Sequence, residues 1–105
     1  MLKTPDYQAI NRAALSELPF LVARWLPGGK MQGREWVARN PRRSDKNPGS
    51  FRVNIQSGRW ADFAQTEARG GDVIALAAYL ANIPQHEAAR NLAAMLGLSE
   101  PEGGA

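Results

Sequence analysis

The chain has 105 residues, enough for one domain with a modest core, and its 22% charged content is that of an ordinary globular protein. No apolar run approaches the length of a membrane span, and the N-terminal MLKTPDYQAIN lacks the apolar core of an export signal. There is no cysteine, which excludes disulfides and thiolate chemistry and fits a cytoplasmic location. The net charge of +3 is unevenly spread: residues 24–69 hold ten Lys/Arg against four Asp/Glu, and the remainder holds three against six. A basic middle on a neutral-to-acidic frame points to a polyanionic partner, most plausibly nucleic acid, with plain surface solvation as the alternative.

Residues 6–18 place Ile10, Ala13, Ala14, Leu15 and Leu18 at helical spacing, with Thr4 or Asp6 as the cap. Pro19 interrupts this helix and suits the first turn of a second, PFLVARWL, which Pro27-Gly28-Gly29 ends. The period then falls to two. REWVARN sets Glu35, Val37 and Arg39 against Trp36, Ala38 and Asn40, while SFRVNI sets Phe51, Val53 and Ile55 against Arg52 and Asn54. After the turn QSG, where Gly58 supplies a positive φ, comes a third strand in GRWADF. Beyond Gly70-Gly71 the helical period returns. DVIALAAYLANI carries a stripe of Val73, Ile74, Ala77 and Leu80, and PQHEAARNLAAML one of Ala88, Leu92, Met95 and Leu96. Asp72 is the expected N-cap of the first and Gly97 the stop of the second. The expected class is α+β: N-terminal helices, a small three-stranded antiparallel sheet with one packed and one basic face, then a C-terminal helical hairpin. One domain spans residues 1–98, and 99–105 (SEPEGGA) form a flexible tail.

The motifs NPRR, DKNPGSF, RWADFAQ, RGGDVIAL and EAARNLAAMLGL follow one another between residues 40 and 98. In this order they resemble the zinc-binding domain of bacterial and phage DNA primases. The upstream LPGGKMQGREWVARNP resembles cysteine-free primase-like proteins of plasmids, phages and integrated elements. The likeness is most specific in Pro48-Gly49-Ser50-Phe51 and Gly70-Gly71-Asp72-Val73-Ile74. It departs at the metal: the four ligand positions fall near Asn40, Arg43, Asp62 and Gln65, a set that cannot form a tetrahedral zinc site. The one histidine, His86, lies far off near a helix start. No metal or other cofactor is therefore expected. Packing of Trp25, Trp36, Phe51, Trp60 and Phe63, and an Arg43–Asp62 salt bridge, are candidates to replace the ion's contribution to folding.

A basic sheet face with aromatic rings can bind a single strand, the cations following phosphates and the rings stacking on bases. The candidate binding residues are Arg39, Arg42, Arg43, Lys46, Arg52 and Arg59, with Trp60. Core packing is the competing reading for each aromatic, and a core-facing Trp60 leaves Arg59 exposed. Gly70-Gly71 before a helix has the look of a phosphate site, but the Asp72 carboxylate would occupy those amides and repel an anion, which favours a tight turn with an N-cap. No phosphate-binding loop, paired carboxylates or Ser-His-Asp arrangement is present, so no catalytic centre is expected. Two functions follow. One is a non-catalytic module that holds single-stranded DNA template in the replication of a mobile element. The other is an interaction or regulatory module that docks on a primase, helicase or relaxase.

Overall fold

A computed structural model describes residues 6–42 and 49–98. Asp6 opens the first helix, α1 (Tyr7–Ser16), by accepting a hydrogen bond from the Ala9 amide at 3.1 Å. Pro19 sits in the first turn of α2 (Leu18–Trp25), where its missing N–H costs nothing. Strands β1 (Lys30–Gln32), β2 (Glu35–Ala38), β3 (Phe51–Asn54), β4 (Trp60–Asp62) and β5 (Gln65–Gly70) follow, then α3 (Val73–Ala81) and α4 (Gln85–Met95). Asp72 caps α3 through the Ala75 amide at 2.8 Å, as expected, and α4 stops two residues before Gly97.

The class is α+β, but the sheet has five strands rather than the expected three. They form an antiparallel meander in the order β1-β2-β3-β4-β5. The two additional strands carry no period-two signal. Every residue of β1 is exposed, so its side chains need not alternate. Its pairing is set by a two-residue loop, Gly33-Arg34, in which Gly33 takes φ 62°. In β5 the ladder runs Asp62↔Gln65 and then Ala61↔Arg69, leaving the residues between without direct partners and breaking any regular pattern.

The three expected strands match β2, β3 and β4, and Gly58 takes φ 82° in the turn between the last two. Ala38, Phe51, Val53 and Trp60 turn to the packed face, where they meet Ile10, Ala14, Leu18, Val22, Ile74, Leu76 and Leu92 from the helices. Phe51 is fully buried, with Trp60 at 5.9 Å and Tyr79 of α3 at 6.0 Å between ring centroids. Trp60 and Tyr79 lie 5.1 Å apart, which closes an aromatic cluster joining sheet to helix. Trp25 and Trp36 are half-buried against this core. Phe63 departs from the expectation of core packing: it occupies the β4–β5 turn, on the side opposite Trp60 and Asp62, and is 67% exposed. No described helix is long and apolar enough to cross a membrane.

Candidate nucleic-acid interface

Residues directly opposite one another in an antiparallel ladder project to the same face. The register therefore defines one row across the outer face: Lys30, Val37, Arg52, Ala61, Arg69. Arg59 joins it from the edge of β4, where its carbonyl accepts from the Asn54 amide at 2.8 Å. Arg52, Arg59 and Arg69 line a single open depression of about 610 Å³, floored by Ala61 and bounded by Gly70 and Gly71, with Phe63 at its rim. Glu35 is the acid among its lining residues.

Arg52 is held in place. Its Nε donates to the Gly49 carbonyl at 3.1 Å, one terminal nitrogen donates to Glu35 Oε1 at 3.2 Å, and the guanidinium lies 5.5 Å from the centre of the Phe63 ring. Three of its five N–H donors stay available to a ligand. The outer face of Phe63 is open to stacking.

The expected site residues separate into groups. Arg52 and Arg59 enter the depression, and Arg39 is exposed just beyond β2. Arg42 lies elsewhere: it donates to the Tyr79 carbonyl at 3.2 Å and covers the Tyr79 ring at 4.8 Å, on the helical side of the molecule. Arg43 and Lys46, and with them the expected Arg43–Asp62 salt bridge and the tail from residue 99, lie outside the described residues. Trp60 is a correction. It is a core residue, 5% exposed, so its ring faces are not available to a base. Its edge packs on Gly70, where a Cβ would come within 2.7 Å of the indole. The exposed stacking ring on this face is Phe63.

Lys30 and Arg69 lie on the same outer row and fall outside the expected set, because their strands lack the alternation that assigns a face. Phe63 is expected in the core from its apolar character, although the alternation of GRWADF sets it with Ala61 opposite Trp60. The signal in each case was turn chemistry: Gly33 for the β1 hairpin, and Asp62 for the β4–β5 turn, whose carboxylate accepts from the Ala64 amide at 2.9 Å.

Two of the positions aligned with zinc ligands meet behind the sheet. Asn40 Nδ2 donates to Asp62 Oδ2 at 2.8 Å and to the Tyr79 hydroxyl at 2.7 Å, and Asn40 Oδ1 accepts from the Arg42 amide at 2.8 Å. Both side chains are buried, at 0% and 2% exposure. Among the described residues no group of three His, Cys, Asp or Glu is placed to hold a metal ion.

The start of α3 is not a vacant anion site. Asp72 occupies the Ala75 amide, and Asn11 of α1 accepts from the Ile74 amide at 3.0 Å. No protein-family model matches this chain, and no curated protein matches its sequence. The likeness to primase zinc domains rests on the motifs of residues 40–98 alone.

Proposed function

We propose that this chain is a non-catalytic nucleic-acid-binding module that holds a single strand on the outer face of its sheet. The observation that carries the reading is the convergence of Arg52, Arg59 and Arg69 on one open depression with an exposed aromatic ring at its rim. Cations follow phosphates without regard to sequence, and a ring offers every base a stacking partner. The motif order favours single-stranded DNA template as the ligand, in primase-related replication of a plasmid, phage or integrated element in the cytoplasm. The chemistry of strand synthesis would then belong to a separate catalytic partner, since no catalytic constellation is evident in the sequence.

A second reading has its own support. An apolar groove of about 420 Å³ lies among Trp25, Pro41, Leu80, Ile83, Leu92 and Met95, on the helical side of the molecule. Such a surface fits docking on a primase, helicase or relaxase, with the basic face aiding solubility.

Fluorescence anisotropy with a labelled single-stranded oligonucleotide, with duplex DNA beside it, separates the two. Single-strand binding that Arg52→Ala and Arg59→Ala weaken supports the first reading. No binding at low salt retires it in favour of the docking module.

A further inference from the structure

The outer face surrounds Ala61 with cations. Arg52 and Arg69 are its direct neighbours on either side, and Arg59 precedes it by two residues, which places the three arginines on one face. The Cα atoms of Arg52 and Arg69 are separated by two strand spacings, about 10 Å. Two long side chains can close that span on a single group above the alanine methyl. The depression also has Gly70 and Gly71 on its wall, which contribute no side chain to it. Glu35 pairs with Arg52 at 3.2 Å, so the three arginines and one carboxylate leave the depression with a net charge of +2.

Three guanidinia around one small residue exceed what a singly charged phosphodiester requires. We propose that this cradle binds a terminal phosphoryl group, which carries about −1.5 to −2 near neutral pH, in preference to the internal phosphates of a strand. Phe63 at the rim then stacks the adjoining base. The inference deepens the nucleic-acid reading above and rests on it. The terminal phosphoryl group can come from the 5′ end of a strand or from a free nucleoside triphosphate.

The test compares two oligonucleotides labelled at the 3′ end, one with a 5′-phosphate and one with a 5′-hydroxyl, together with ATP followed by titration calorimetry. The expected result is roughly tenfold tighter binding of the 5′-phosphate form, the size of one additional charge-assisted contact. Arg69→Gln should remove that preference while its circular dichroism stays that of the parent, because Arg69 is exposed. Arg90→Gln, on the exposed side of α4, should keep it. Indistinguishable ends with ATP binding that Arg69→Gln abolishes would assign the cradle to a free nucleotide. Equal binding of both ends with no ATP binding overturns the cradle and leaves the strand-holding surface standing. No binding of any of the three overturns both.

Discussion

Asn40 and Asp62, 22 residues apart, share a buried hydrogen bond of 2.8 Å from the amide nitrogen to the carboxylate. A hydrogen bond to a charged group contributes about 1.5–3 kcal/mol. The stacking of Phe51, Trp60 and Tyr79 and the burial of their rings add to it at the same junction of sheet and helix. Asn40→Ala removes one of the donors to the buried Asp62 carboxylate, which keeps the Ala64 amide, and should cost about 2–3 kcal/mol. For a domain of this size that lowers Tm by roughly 10–20 °C, measurable by circular dichroism. A shift of a degree or two would show that the pair is incidental.

Tyr79→Phe keeps the ring in the aromatic cluster and removes only the hydroxyl that accepts from Asn40 at 2.7 Å. The expected cost is about 1 kcal/mol in chemical denaturation. Because both side chains belong to one network, combining Tyr79→Phe with Asn40→Ala should cost less than the sum of the two. Strict additivity would mean that the hydroxyl acts independently.

Gly70→Ala places a methyl 2.7 Å from the Trp60 indole, so the ring must move. The fold should lose about 1–3 kcal/mol, with an altered near-ultraviolet circular dichroism spectrum reporting the displaced indole. An unchanged melting curve would contradict this packing.

Phe63 is 67% exposed, so Phe63→Ala should change stability by no more than about 0.5 kcal/mol. Loss of a stacked base should nonetheless weaken single-strand binding by about 1–3 kcal/mol. Anisotropy and thermal melts on the same preparation separate the two effects. Equal losses in both would return Phe63 to a structural role.

The sequence exposed those parts of the fold in which burial imposes a period. Helices α1 to α4 each have an apolar stripe and a capping or breaking residue, and β3 and β4 alternate because one side of each faces the aromatic core, whereas in β2 Val37 on the outer side is buried as well. Strand β1 is an edge strand paired with β2, and all three of its residues are exposed, so they have no pattern to read. Strand β5 is paired out of step at its bulge, so Arg69 could not be assigned to the face it shares with Arg52. The Asn40–Asp62 contact was partly legible. Period two puts Asn40 on the side of Trp36 and Ala38, and Asp62 on the side of Trp60, so both belong to the packed face. That the two meet there follows only from the cross-strand register, which carries Ala38 opposite Phe51 and Phe51 opposite Asp62.

The salt dependence of single-strand affinity tests the central claim most directly. Four cations of the outer face, Lys30, Arg52, Arg59 and Arg69, contacting phosphates give a slope of roughly −3 for log K against log salt, at about −0.7 for each contact on a single strand. The double variant Arg52→Ala/Arg69→Ala should reduce that slope to about −1.4 while remaining folded. An affinity insensitive to salt, or a slope that the double variant leaves unchanged, would contradict the assignment of this face to nucleic acid.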